Sequence, residues 1–243
     1  MQSESHLQWE HILKKEPKLD FLFNITIPAA KQRKSSFHHL IIVCEYAGIR
    51  EMILEKLSVA FDSKQCYAVE SIGIKPGDVA AVLTGLCDNG VIVVENGATF
   101  RKMQPAAKKV LSQALLLGYL EVEIGKGTSA QTHRLDLPKF SVVAFFENSR
   151  QIEKNFCQAF DEIIEVHSFS PDELCAIEVR SVANEIGIDF DNDAIVEIVR
   201  ESNGDYRQAG RYVRWIRDYM LVKNDLFKHV HKEYVSAVIA MRQ

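Results

Sequence analysis

The stretch Leu40–Glu51, LIIVCEYAGIRE, decides the fold because two hydrophobic patterns follow each other within it. The apolar run over residues 39–43 is typical of a strand that is buried on both faces of a sheet. Helical periodicity follows over residues 49–61. A strand that leads directly into a helix is the repeating unit of parallel sheets, so this stretch predicts an α/β domain.

The same alternation of strand and helix continues along the chain as far as residue 166. Further strands are predicted at residues 66–70, 91–95, 140–146 and 162–166, and helices at residues 76–87, 103–117 and 150–158. Because these strands are apolar runs rather than alternating patterns, they predict a parallel sheet that is covered by helices on both faces.

The pattern changes after residue 167, where only helical periodicity is found. Ser170, Pro171 and Glu173 fit the N-cap, N1 and N3 positions of a helix start. Predicted helices occupy residues 171–187, 192–202, 205–222 and 230–241. We therefore expect an α/β domain over residues 1–167 and a small helical domain over residues 168–243.

One segment interrupts the alternation, at residues 120–137, LEVEIGKGTSAQTHRLDL. Apolar and acidic residues alternate over 120–124, a GKG turn follows, and the alternation resumes over 134–137. This pattern predicts a β-hairpin whose connection is longer than a two-residue turn.

Composition excludes several classes of protein. The 243 residues carry a net charge of -4, so no strongly basic field indicates nucleic-acid binding. No signal-peptide run or membrane-length apolar segment is present in the sequence, so no membrane association is expected. Five scattered cysteines without C-x-x-C spacing are typical of reduced thiols in a cytoplasmic protein.

The turn after the first strand departs from the nucleotide-binding P-loop, G-x-x-x-x-G-K-[ST]. In that motif, backbone N–H groups wrap the phosphates, and the Lys and hydroxyl meet phosphate and Mg²⁺. The two glycines are replaced by Cys44 and Ile49, the lysine by Arg50, and the hydroxyl residue by Glu51. A P-loop setting without its chemical groups predicts a degenerate nucleotide site.

Four collinear segments resemble the RuvB family, the bacterial AAA+ motors that drive branch migration at Holliday junctions. They are AAKQRKSSFHHLII (29–42), IKPGDVAAVLTGL (74–86), VEIGKGTSAQTHRLDLPKFSVV (122–143) and NGDYRQAGRYVRWIRDY (203–219). The resemblance implies an AAA+ α/β domain followed by a helical lid. A typical family member continues into a winged-helix domain that grips DNA, and we expect that domain to be missing here.

Transferring the family's ATPase machinery onto this sequence implies loss at most positions. The Walker A lysine falls on Arg50 and the Mg²⁺-binding threonine on Glu51, while the Walker B Asp-Glu pair falls on Glu95 and Asn96. Asn96 cannot act as a base toward an attacking water. These replacements imply that no cofactor is bound, with ATP and Mg²⁺ as the alternative.

The remaining functional positions of the family show the same trend. Sensor 1 falls on Phe146 and Glu147, and the arginine fingers fall on Cys157 and Ala159. The segment that packs adenine in the family reads LKKEP (13–17) here. Only the sensor-2 arginine is kept, as Arg207. Because phosphoryl transfer depends on positioning and charge, these losses favour a pseudo-ATPase.

Ordinary structural interpretations of the same residues stay open. Arg50 is equally compatible with a helix surface and a phosphate contact, and Glu95 with a solvated strand end. Cys44 and Cys157 are more typical of small buried apolar residues than of reactive thiols. The pairs His38–His39 and His229–His231 lack carboxylate or cysteine companions at metal-ligand spacing, so no metal site is predicted.

A row of arginines follows one predicted helix, at Arg207, Arg211, Arg214 and Arg217. Their spacing places them along one broad face. The face could contact phosphate or an acidic partner, but a solvated face paired with acids such as Asp205 and Asp218 is the favoured interpretation.

The hairpin is the main feature that favours a binding role. In the family the equivalent hairpin carries an apolar tip that docks on the third domain of RuvA, the junction-binding partner. Here Leu120, Val122 and Ile124 are the candidate partner-binding residues. That this apolar side folds back onto the protein is an equally favoured alternative.

Two main hypotheses follow from the sequence. The first is a non-catalytic RuvB-like adaptor, scaffold or inactive subunit that binds a RuvA-like protein or another AAA+ subunit, and DNA only indirectly. The alternative is a divergent RuvB-type ATPase that acts in Holliday-junction processing, recombination and repair. An inert remnant without a selected role, and a subunit that poisons an authentic ring, are lesser possibilities.

Overall fold

A computed structural model describes residues 2–61, 65–124, 131–166, 169–223 and 229–241, without the side chains of residues 2–8, 122–124 and 155. The chain divides into two compact units. One spans Glu16–His167, and the other combines Met1–Lys15 with Ser168–Gln243. The first 15 residues therefore group with the helical unit rather than with the α/β unit, where the sequence had placed them.

The first unit is built on a parallel sheet of five strands, which are β1 (Leu40–Cys44), β2 (Cys66–Val69), β3 (Gly90–Val94), β6 (Phe140–Phe146) and β7 (Glu162–Val166). Their order across the sheet is β2–β3–β6–β1–β7. All four neighbouring pairs are parallel. Every residue of β1, β3 and β6 is buried, which confirms the α/β prediction from continuous apolar runs.

Helices separate these strands at the predicted places. They are α4 (Ala47–Ala60), α5 (Pro76–Thr84), α6 (Pro105–Leu117) and α7 (Lys154–Cys157). An earlier helical segment was not predicted. It consists of α2 (Pro17–Phe21), a π-helical turn (Leu22–Thr26) and α3 (Ile27–Arg33).

The predicted hairpin forms a separate two-stranded sheet. Strand β4 (Tyr119–Ile124) is antiparallel to β5 (Gln131–Asp136), and all of β5 is exposed. At the base of the hairpin, Leu120 is only 2% exposed and packs in the apolar core of the α/β unit.

The second unit consists mainly of helices. They are α1 (Gln2–Lys15), α8 (Pro171–Ile186), α9 (Asn192–Ser202), α10 (Tyr206–Val222) and α11 (Lys232–Ala240). The start of α8 is a capping box: the Glu173 N–H donates to Ser170 Oγ (3.3 Å), and the Ser170 N–H donates to a Glu173 carboxylate oxygen (2.9 Å).

The expectation of purely helical structure in this unit is wrong in one respect. Strands β8 (Asp189–Phe190) and β9 (His229–Val230) form a short parallel pair. Two-residue strands are too short to show periodicity in a sequence. None of the helices in the described ranges combines the length and apolar character that a bilayer crossing requires.

Candidate functional site

The carboxyl ends of β1, β3 and β6 meet at one edge of the sheet, where parallel α/β folds bind ligands. We call this the carboxyl edge. Cys44 ends β1, while Glu95 and Glu147 directly follow β3 and β6. The sheet therefore brings the predicted Walker A, Walker B and sensor-1 positions to one side of the unit.

The loop that would wrap phosphate is very short. Only Glu45 and Tyr46 separate the end of β1 from the start of α4. The Arg50 N–H already donates to Tyr46 O (3.1 Å) as part of that helix. Ile49, at the second glycine position of the motif, is fully buried. The Arg50 N–H is therefore not available to a phosphate oxygen.

The Arg50 side chain is engaged with neighbouring protein groups. Its Nη1 donates to Cys44 O (3.4 Å) and lies 3.6 Å from Glu147 Oε1, at the sensor-1 position. The Arg50 side chain is 24% exposed, so it is not a fully solvated surface residue. Its charge is balanced within the protein.

Carboxylates surround the space beside Arg50. A cleft of about 170 Å³ is lined by Arg50, Glu51 and Glu95 together with apolar side chains. A second cleft of about 250 Å³ is lined by Glu45, Glu147 and Glu165. Both are smaller than the about 300–1,000 Å³ of typical ligand pockets, and their acidic linings repel phosphate.

Asn96, at the second Walker B position, has a structural role. Its Oδ1 accepts a hydrogen bond from the Ala98 N–H (3.2 Å) and caps the 3₁₀ helix Gly97–Lys102. A Cβ on Gly97 would lie 2.5 Å from the ring of Phe146, so the two residues pack in direct contact. At these two predicted positions the structure therefore shows a helix cap and apolar packing.

The arginine-finger segment contributes to the core. Phe156, Ala159 and Phe160 are each at most 7% exposed. The Phe100 ring lies 4.7 Å from that of Phe156 and 6.4 Å from that of Phe160, between centroids. A buried Ala159 presents no cation to a neighbouring subunit.

The two cysteines at family positions are typical of structural thiols. Burial raises the pKa of the Cys44 thiol to about 11, so it is protonated and unreactive near neutral pH. The Cys157 thiol donates to Lys154 O (2.9 Å). All five cysteines lie within the described residues, and none of them forms a disulfide.

Arg207, at the predicted sensor-2 position, lies in the first turn of α10 in the helical unit. Asp205 Oδ1 accepts hydrogen bonds from the N–H groups of Arg207 (2.9 Å) and Gln208 (3.1 Å), so Asp205 caps the helix. Further along, Arg214 pairs with Glu185 (3.8 Å) and Arg217 with Asp218 (2.8 Å). These pairs support the interpretation of the arginine row as a solvated face.

The candidate partner-binding residues differ in their surroundings. Leu120 packs in the core, so at this residue the apolar side of the hairpin folds back onto the protein itself. Val122 and Ile124 pair with His133 and Gln131 in the ladder. Their side chains and the GKG turn lie outside the described residues.

One cluster of aspartate and histidine side chains could not be predicted from the spacing of neighbouring residues in the sequence. His229 and His231 lie beside Asp189 and Asp191, so the expectation that they lack carboxylate companions is wrong. The signal in the sequence is the matching pattern of Asp189-Phe190-Asp191 and His229-Val230-His231, which are separated along the chain.

A comparison with protein families identifies the family to which the chain belongs. A family model described as "Holliday junction DNA helicase RuvB P-loop domain" matches residues 10–165. The chain belongs to the RuvB family. Relatives named "Holliday junction branch migration complex subunit RuvB", from Helicobacter pylori strain G27 and Helicobacter acinonychis strain Sheeba, are each 27% identical over 220 residues. These matches cover 89% of this chain and 63% of each relative.

Solved structures agree in fold. A Thermotoga maritima RuvB described as a Holliday junction branch migration motor superposes with a TM-score of 0.67 at 18% identity. The superposition covers 96% of this chain and 68% of the RuvB chain. A point mutant of the same protein gives a TM-score of 0.70. At this identity the likeness shows the AAA+ fold, and the chain spans about two thirds of the RuvB chains.

Proposed function

We propose that this protein is a RuvB-family member that acts through contacts, as an adaptor, scaffold or inactive subunit, rather than through ATP hydrolysis. The observation that carries the proposal is the Arg50–Glu147 pair behind a two-residue turn. The one cation at the Walker A position is already balanced by a carboxylate. The wrapping loop is replaced by the early start of α4.

The residues at the carboxyl edge do not fit ATP with Mg²⁺. A P-loop needs free backbone N–H groups, a lysine and a hydroxyl. This edge has a helix turn, a paired arginine and Glu51. A carboxylate facing phosphate is repulsive, and the repulsion is stronger in a partly buried site than in bulk water. On this proposal the carboxyl edge lacks the groups that ATP hydrolysis requires.

The partner side of the proposal rests on the hairpin. We expect Val122 and Ile124 to contact a RuvA-like protein or another AAA+ subunit, and DNA to be reached only through that partner. Action in the cytoplasm is also part of the proposal, since the cysteines form no disulfide within the described residues.

The second candidate function is a divergent ATPase in Holliday-junction processing, recombination and repair. The names of the relatives and the retained cation at Arg50 favour it. It requires that Arg50 leave Glu147 to meet phosphate. Such a protein would hydrolyse ATP in the presence of junction DNA.

Two assays on the full chain separate these candidates. We expect no ATP turnover above background with four-way junction DNA and the RuvA of the same organism, but direct binding of that RuvA. Ile124→Asp should abolish the binding, while Val59→Asp on α4, a matched change at a 76%-exposed apolar residue, should leave it intact. ATP turnover that is stimulated by junction DNA would refute the main proposal. RuvA binding that is unchanged in Ile124→Asp would refute the role of the hairpin.

Ring poisoning is tested with a mixed assembly. Adding this protein to the authentic RuvB of the same organism should lower junction-dependent ATPase activity in proportion to the fraction added, if mixed rings form. A neighbour that receives no arginine finger loses roughly 10³–10⁵-fold in turnover. Unchanged activity would restrict the proposal to an adaptor outside the ring.

A further inference from the structure

Two short strands of the helical unit place four metal-ligating side chains on one face. In β8 and β9, Phe190 and Val230 are buried and pair with each other. Because side chains alternate along a strand, the residues on either side of them point the other way. Asp189 and Asp191 therefore lie next to His229 and His231 on the exposed face.

The contacts within this group form a chain. His229 Nδ1 lies 3.0 Å from Asp189 Oδ2. His229 Nε2 contacts one oxygen of Asp191, and His231 Nδ1 contacts the other. One carboxylate is thus shared by two imidazoles, whose ring centroids are 5.2 Å apart.

We propose that Asp191, His229 and His231 form a binding site for a divalent first-row transition metal ion, with Zn²⁺ as the expected ion. Their ligand atoms all lie within 4.8 Å of one another. Tetrahedral Zn²⁺ with bonds of about 2.0–2.1 Å needs ligand atoms roughly 3.3 Å apart, so small side-chain rotations would complete the site.

Asp189 supplies an independent feature of metal sites. A histidine ligand usually donates its other ring N–H to a carboxylate, which fixes its orientation and tautomer. Asp189 meets Nδ1 of His229 and so leaves Nε2 for the metal. Asp189 is therefore a positioning residue, while the other three are ligands.

The donor set selects the class of ion. Two imidazole nitrogens and one carboxylate suit Zn²⁺ and its neighbours, whereas Mg²⁺ and Ca²⁺ prefer oxygen ligands. The adjacent cation is already paired, because Lys232 Nζ lies 3.4 Å from Glu197 Oε2. Three protein ligands leave a fourth position open to water or to a group of a partner protein.

The ion would cross-link two segments that are distant in the sequence. Asp191 and His229 are 38 positions apart, so a shared ion would close a long loop and hold β9 and α11 against β8. The His229 and His231 side chains are 47% and 62% exposed, so the site is accessible without unfolding.

The test is a Zn²⁺ titration of the full chain after removal of metal with a chelator, read by calorimetry and by melting temperature. We expect one ion per chain and a rise in melting temperature. His231→Ala and His229→Gln, which keeps a polar side chain, should each weaken binding more than 100-fold and abolish the rise. Asp189→Asn should weaken it about 10–100-fold, as loss of an orienting carboxylate does.

Controls separate this site from other ligands of the chain. His133→Ala, at an exposed histidine of β5, should leave the affinity unchanged. Co²⁺ should give visible bands typical of nitrogen and oxygen ligands, without the near-ultraviolet charge transfer of a cysteine thiolate. The proposal is overturned if the parent protein does not bind Zn²⁺, or if the His229 and His231 variants bind it as tightly as the parent protein does. A Co²⁺ spectrum with thiolate charge transfer would also overturn it.

Discussion

The interior of the sheet resembles the RuvB fold, whereas its carboxyl edge differs from the family at the predicted catalytic positions. In the interior, β1, β3 and β6 are completely buried and pair with one another in parallel. At the edge, a paired arginine, a helix cap and an aromatic contact lie at the positions where the sequence resemblance predicts the family's catalytic groups. The fold depends on many buried apolar residues, while phosphate chemistry depends on a few polar ones, so one can persist without the other.

The largest expected effect lies in the interior. Ile42 in β1 is fully buried, so Ile42→Ala should lower the free energy of unfolding by about 2–5 kcal/mol, since truncation leaves a cavity. Denaturant unfolding of the full chain measures it. Val59→Ala, at a residue 76% exposed, is the matched control and should change stability by less than about 0.5 kcal/mol. Equal effects would break the contrast between interior and surface.

The next effect tests whether the edge has become part of the core. A Cβ on Gly97 would lie 2.5 Å from the Phe146 ring, so Gly97→Ala should cost about 1–3 kcal/mol through overpacking. Phe146→Leu should relieve the clash, making the double variant more stable than the sum of the two changes predicts. Additive effects would show that the ring and the glycine do not constrain each other.

The helix start at Ser170 shows that a polar site can also be structural. The Lys15 ammonium, followed by the capping contact to Ser170, lowers the pKa of Glu173 to about 2 from its ordinary 4.5. Glu173→Gln should therefore cost about 1 kcal/mol at pH 7, the size of a helix cap.

The pH dependence of the stabilisation by Glu173 follows from the direction of its pKa shift. A carboxyl whose folded pKa is depressed stabilises the protein above its unfolded pKa and loses this contribution as pH falls through the folded value. The difference between the parent protein and Glu173→Gln should therefore be constant above pH 4.5 and shrink toward pH 2. A difference that grows on acidification would contradict the assignment.

The smallest effect is expected at the edge itself. Glu147 is 62% exposed, so Glu147→Gln should change stability by less than about 1 kcal/mol despite the loss of its pair with Arg50. Thermal unfolding detects it. A loss of stability as large as that of Ile42→Ala would mean that the Arg50–Glu147 ion pair is a main source of stability at the carboxyl edge.

Sequence reasoning succeeded where the pattern is local and repeated. The apolar runs of β1, β3 and β6, the hairpin and the start of α8 all follow from periodicity and capping. The helical segment from α2 to α3 was missed because exposed Phe21, at the end of α2, and exposed Ile25, in the π-helical turn, blur its apolar stripe. The Arg50–Glu147 pair and the Asp–His cluster depend on contacts between residues far apart in the chain, which no local pattern contains.

The most direct test of the central claim is a thermal-shift titration of the full chain with ATP and ADP, with and without Mg²⁺. A ligand at 100 times its dissociation constant adds about 2.7 kcal/mol of stability, a readily measured rise in melting temperature. We predict no rise at millimolar nucleotide, because Arg50 is paired and the wrapping loop is absent. A Mg²⁺-dependent rise that Arg50→Ala abolishes would contradict the account and establish a working nucleotide site at the carboxyl edge.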